Sequence, residues 1–194
     1  TQIRVLPLLD NDEALRNLND NALNFVLTDS VTATGYREEG RTNVAELPSL
    51  QNEVLLVNHN NALLRTPQIR KAIAYALDRR DIITKAYLGH AFATDVPVPP
   101  HSWLYDSDSK VYDYNVREAE ALLRAEGWLD LDGDGILEKQ ESGNALRKLS
   151  FRLLVNDPPD ESKRKDAANL IQQCMCEVGI DVQVVTAAWT NEKN

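Results

Sequence analysis

The chain mixes stretches of two-residue apolar period with stretches of helical period. Gln2-Ile3-Arg4-Val5-Leu6 alternates polar and apolar positions and predicts a strand. Residues 10–18 predict a short helix, 23–27 a buried strand, and 30–40 weakly patterned loop. Glu53 to Val57 predicts a further strand, stopped by the turn-forming Asn58-His59-Asn60-Asn61. Thr66 is a good N-cap type, and Pro67 suits the first helical position, where its missing N–H costs nothing. Ile69, Ile73, Ala76 and Leu77 then recur at helical spacing. Asp78 is placed to cap a second helix carrying Ile82, Ile83, Ala86 and Tyr87, with Gly89 as its stop.

Residues 90–113 hold Pro97, Pro99, Pro100, Trp103, Tyr105 and Tyr112, a composition that disfavours helix and central strand. A loop of this length has two readings: an aromatic wall facing a ligand, or a strap over the fold. Asn115 with Glu118 forms a capping pair that opens a helix from Val116 to about Trp128. The last third reads as β-α-β. Leu149, Phe151 and Leu153 alternate; a helix after Asp157-Pro158-Pro159-Asp160 carries the stripe Ala167, Ile171, Cys174, Met175 and Val178; and Ile180, Val182 and Val184 alternate again. Alternating strands separated by helices point to an α/β sheet with helices on one face.

Composition narrows the function classes. The 194 residues carry 30 acidic and 21 basic side chains, a net charge of -9. That balance opposes binding to a phosphate backbone, so nucleic acid is not an expected partner. Lys163-Arg164-Lys165 reads as a solvated helix face. No apolar run approaches the length that spans a bilayer, and no signal peptide is visible before Thr1, so a trimmed piece of a longer protein is expected. Cys174 and Cys176 are two apart, on nearly opposite faces of a helix, and do not form a C-x-x-C pattern. One is expected in the core and the other at the surface.

The sharpest chemical motif is Asp130 to Glu141, DLDGDGILEKQE, which matches the twelve-residue calcium loop D-x-D-x-D-G-x5-E. Asp130, Asp132 and Asp134 would bring carboxylates to one centre, Gly135 would allow the turn, Ile136 would offer its carbonyl, and Glu141 would close the site. The alternative is a polar loop whose aspartates bond their own backbone. A strand rather than a helix is expected to follow, after Ser142-Gly143-Asn144, so this is not an ordinary EF-hand. Motifs of catalysis are missing: no G-x-S-x-G, no H-E-x-x-H and no glycine-rich phosphate loop. His59, His90 and His101 all fall in loops, and no enzyme is expected.

Thr66 to Ile83, TPQIRKAIAYALDRRDII, following Val57-Asn58-His59-Asn60, resembles the bacterial extracellular solute-binding proteins of family 5, the peptide, dipeptide and nickel receptors of ABC importers. Arg70, Ala72, Tyr75, Ala76, Asp78 and Arg79 match the family's helix pattern, with Ile69 in place of the usual valine and Lys71 in place of glutamine. Gly89 to Thr94 before Pro97-Val98-Pro99-Pro100, Tyr112 to Trp128, and the closing Gly179-Ile180-Asp181-Val182 extend the likeness, with Trp189 fitting the tail. The resemblance covers residues 50–189 best. It implies a mixed sheet covered by helices, one lobe (domain II, residues 1–194) of a periplasmic-binding-protein type II fold. It further implies capture of a peptide or small solute outside the membrane and delivery to ABC permease subunits. The protein would be a cell-surface lipoprotein or periplasmic, with lobe I of the same protein lying outside this chain. Places at strand ends and loops make Asn60, Pro100, Trp103 and Asn156 the expected ligand-facing residues. The alternative function is a calcium-dependent structural or adhesion module built on the 130–141 loop, with structural Ca²⁺ as its cofactor.

Overall fold

The computed structural model describes residues 2–8, 10–38, 42–106, 108–109, 112–141, 145–156 and 162–187. The chain divides into two units, Thr1–Pro48 and Ser49–Asn194. In the first, α1 (Asn11–Asn19) starts where Asp10 accepts the Glu13 amide at 2.6 Å, as an N-cap does. Asn11 fastens this end to the following loop: its side chain donates to Asp29 and accepts from Thr28, both at 2.8 Å. Leu15 is buried. A 3-10 turn (Val31–Thr34) and the short α2 (Gly35–Glu38) follow in place of a loop.

The segments 2–6 and 23–27 are not strands, and neither is 53–57 in the second unit. Alternation at 2–6 and apolar runs at 23–27 and 53–57 supply candidate surfaces, but a strand exists only when a neighbour takes up its N–H and C=O groups. No described segment pairs with these three. Ile3, Val5, Phe25, Leu27 and Leu56 accordingly remain more than four-fifths exposed.

The second unit is built around local signals that hold. Asn61 caps the single turn α3 (Ala62–Arg65). Pro67 opens α4 (Pro67–Ala76), although the Thr66 side chain makes no capping hydrogen bond. Its inner face is Ile69, Ala72, Ile73 and Ala76. Asp78 accepts from the amides of Arg80 and Asp81 and so starts α5 (Arg79–Ala86). Asn115 accepts from the Glu118 amide at 3.1 Å and starts α6 (Val116–Ala125), three residues shorter than expected. A short antiparallel ribbon then pairs β1 (Glu138–Gln140) with β2 (Leu146–Lys148). Last come β3 (Ser150–Asn156), α7 (Ser162–Glu177) and β4 (Asp181–Ala187), with β3 and β4 parallel and Phe151 opposite Val182. The fold is α/β, with strands of both senses held in two separate pairs. The residues 157–160 and Trp189 lie outside the described residues.

Helix α4 packs on α6, α5 on α7, and α7 covers the β3–β4 pair. Between them Ile69, Leu123, Leu149 and Ile180 are almost fully buried. Both α6 and α7 end in the same way. Gly127 (φ +82°) and Gly179 (φ +77°) take the left-handed C′ position, and the amides of Trp128 and Ile180 return to Leu123 and Met175, a Schellman closure. The cysteines separate as expected: Cys174 is buried and Cys176 exposed.

Candidate functional site

Two regions carry chemistry. The first is the acidic loop after α6. Its base is fixed by reciprocal backbone hydrogen bonds between Leu129 and Glu138 (3.0 and 2.7 Å) and by the Leu137 amide on the Gly179 carbonyl at 2.8 Å. Within it the aspartates bond the backbone. Asp130 accepts from the amides of Gly133 and Gly135, Asp132 from Asp134, and Asp134 from Ile136. Carboxylate oxygens of Asp130, Asp132 and Glu138 come within 4.8 Å of one another.

Glu141 does not join this group. Its carboxylate meets Arg147 at 3.1 Å, and its amide donates to Ala145 across the ribbon. The reason is geometric. The chain leaves the loop as strand, rising about 3.3 Å per residue, so Glu141 lies roughly 10 Å beyond Glu138. A helix at that point would have turned the twelfth residue back. Glu138, the ninth residue of the motif, takes the inward position and is fully buried. Its Oε2 accepts the Leu131 amide at 3.0 Å, while Oε1 is buried without a hydrogen-bond partner. Sequence reasoning passed over this residue; its signal is the first of the motif's two glutamates combined with a strand that begins at it. Lys148, paired with Glu138 in the ribbon, brings its ammonium to Asp134 and within 3.9 Å of Asp132 and 3.8 Å of Glu138 Oε1. The hydrogen bond from Lys148, followed by that from the Ile136 amide, holds the Asp134 carboxyl below its ordinary pKa. Asp134 in turn raises Lys148.

The second region is the proline- and aromatic-rich loop. Its two ends are tied together by Arg79, which pairs with Asp95 and donates to the Tyr112 carbonyl, while the Tyr112 amide donates to Asp95 at 2.8 Å. The Tyr75 and Tyr112 rings meet edge to face at 5.2 Å. The loop is thus a strap at its base. Its middle points outward: Trp103 is 90% exposed, with Phe92, Pro100 and Leu104 also exposed. Asn60 sits in the turn after residue 57 with its amide on Asn58 Oδ1. Asn156 ends β3 with a buried Oδ1 that has no hydrogen-bond partner. Among the described residues, no hydrogen bond joins any two of Asn60, Pro100, Trp103 and Asn156.

The family model for bacterial extracellular solute-binding proteins, family 5, middle region, matches residues 1–194. The chain belongs to this family. Among curated relatives, the oligopeptide-binding protein AppA of Bacillus subtilis (strain 168) is 30% identical over 192 residues, 96% of this chain and 33% of AppA. The dipeptide-binding protein of Escherichia coli (strain K12) is 28% identical over 79% of this chain and 26% of its own length. The chain therefore spans about a third or less of the length of these relatives. The solved structure of AppA in complex with a nonapeptide superposes with a TM-score of 0.66 at 28% identity, over 93% of this chain and 35% of that one. NikZ from Campylobacter jejuni, in complex with Ni(L-His), superposes with a TM-score of 0.74 at 23% identity over 94% and 35%, a likeness of fold. These matches agree with the family resemblance carried by residues 50–189.

Proposed function

We propose that this chain is part of the substrate-binding component of an ABC importer, capturing peptides or related small solutes outside the membrane and handing them to the permease. The carrying observation is the match of the family model along all 194 residues. The relatives named above include two that carry peptide-binding names. The protein works by closing on a ligand rather than by transforming it, so no catalytic residue is assigned. Its place is extracytoplasmic, as a periplasmic protein or a cell-surface lipoprotein. Among the described residues no helix is long and apolar enough to cross a membrane.

The cleft in this reading is shared. The chain, residues 1–194, supplies one lobe, and lobe I of the same protein supplies the opposing wall. Asn60, Pro100, Trp103 and Asn156 face the ligand. Trp103 suits the role, because a large exposed aromatic on an anchored loop offers stacking area at little entropic cost. Asn156 offers an unsatisfied buried acceptor at a strand end. None of the relatives named above is an adhesion protein, and no observation favours that alternative.

The test is a thermal-shift screen of the full-length protein against short peptides and nickel complexes, with this chain screened alone beside it. Stabilisation of the full-length protein but not of the isolated chain is the expected result. Tight binding by the chain alone would show a self-contained site and overturn the shared cleft. No stabilisation of the full-length protein by any member would remove the peptide-receptor reading.

A further inference from the structure

The acidic loop is not used by the transport reading, and its geometry asks for a cation. Three carboxylates converge there, with oxygens within 4.8 Å of one another. That spacing fits oxygens on a common ion at about 2.3–2.6 Å each, the range of Ca²⁺. The independent observation is Glu138. It is fully buried, it belongs to the cluster, and its Oε1 has no hydrogen-bond partner. A buried carboxylate oxygen left without a partner is costly, and a metal ion removes that cost. The nearest cation, the Lys148 ammonium, is 3.8 Å away and is hydrogen-bonded to Asp134 instead.

We infer that Asp130, Asp132 and Glu138 form a Ca²⁺ site, with Lys148 as a built-in competitor that yields its place to the ion. The donors are all carboxylate oxygens, with no imidazole or thiolate, which selects a hard cation over zinc or copper. Exposed Asp130 and Asp132 leave room for water ligands, which suits the high and flexible coordination number of Ca²⁺ better than the rigid octahedron of Mg²⁺. The assignment replaces the twelfth-position Glu141 with Glu138 and leaves out Asp134, which pairs with Lys148, and the Ile136 carbonyl. Because the Leu137 amide is bonded to the Gly179 carbonyl at the end of α7, ion binding braces the junction of the loop with the core.

The experiment is calorimetric titration of CaCl₂ into chelator-treated protein, with thermal melts in calcium and in magnesium. One saturable binding event is expected. The melting temperature should rise by roughly 5–10 °C at a hundredfold excess over Kd, and less in magnesium. Glu138→Gln and, at an exposed position that does not threaten folding, Asp132→Asn should each weaken binding at least tenfold. Lys148→Met should tighten it, and Glu141→Gln should leave it unchanged. Absence of both heat and melting shift in the wild-type chain overturns the site. Loss of binding in Glu141→Gln with retention in Glu138→Gln and Asp132→Asn overturns the ligand assignment.

Discussion

Replacing Gly179 with alanine tests how tightly the acidic loop is seated on the core. Gly179 is at φ +77°, where a side chain costs roughly 1–2 kcal/mol through clash with its own backbone. A Cβ there would also stand 2.7 Å from Leu137 Cγ, 3.1 Å from Leu137 Cδ2 and 3.2 Å from the Gly135 carbonyl oxygen. Leu137 is partly buried against the core and its amide is bonded to Gly179 itself, so it has little freedom to retreat. Overpacking of this kind costs about 1–3 kcal/mol, and the total expected is about 2–5 kcal/mol. Gly89 is the control. It has φ +84° in the same unit, and a Cβ there meets nothing within 4 Å, so Gly89→Ala should lose only the backbone part. Urea unfolding followed by circular dichroism reads both. In a Leu137→Ala background most of the excess at Gly179 should vanish, because the nearest atoms are gone. Equal destabilisation by Gly179→Ala and Gly89→Ala, within about 0.5 kcal/mol, would refute the contact as the source of the effect.

The remaining expectations are shorter. Leu123 is fully buried between α6 and the core, and Leu123→Ala should cost about 2–5 kcal/mol in the same assay. Arg79→Ala removes the charge-assisted tie to Asp95 and the Tyr112 carbonyl at partly shielded positions; it should cost about 1–3 kcal/mol and speed proteolysis between residues 90 and 112. Unchanged cleavage there would show that the strap is held by other contacts. Burial raises the Cys174 thiol above its ordinary pKa, whereas Cys176 is exposed. Thiol labelling of the native protein should therefore modify Cys176 quickly and Cys174 only on unfolding. The Asp134 carboxyl titrates below its ordinary value because Lys148 and the Ile136 amide bond its charged form. Its contribution to stability is present above the unfolded carboxylate pKa and is lost as pH falls through the depressed folded value. In Lys148→Met a carboxyl NMR titration should show Asp134 moving back up toward ordinary acidity, and no movement would remove Lys148 as the main cause.

What could be read in the sequence was what the chain settles locally. The caps at Asp78 and Asn115 and the proline opening of α4 each depend on residues within a turn of one another, and each stands in the structure. The β-α-β end was legible for a related reason: β3 and β4 are joined by one helix whose apolar stripe announces the surface it covers. Segment 2–6 carries the same two-residue alternation as β4, and 23–27 and 53–57 are short apolar runs, yet none of the three pairs with a described segment. The difference is not in their residues but in whether a second segment lies alongside, and that is information a two-residue period does not contain.

The acidic loop shows the same division at the scale of single side chains. Which residues bring negative charge was plain from the spacing of Asp130, Asp132 and Asp134. Which glutamate joins them was decided by the backbone after the loop. A template that assumes an exiting helix selects Glu141; an exiting strand sends Glu141 to Arg147 and turns Glu138 inward. The expected strand lay beyond Ser142-Gly143-Asn144, whereas β1 begins at Glu138 inside the motif, and that earlier start is what changes the glutamate. The ribbon also sets Lys148 beside Glu138 from ten residues away, where no spacing rule of a continuous motif reaches. Lys148 pairs with Asp134 and leaves Glu138 Oε1 without a hydrogen bond, and it is this residue, not the twelfth position, on which the proposed Ca²⁺ site rests.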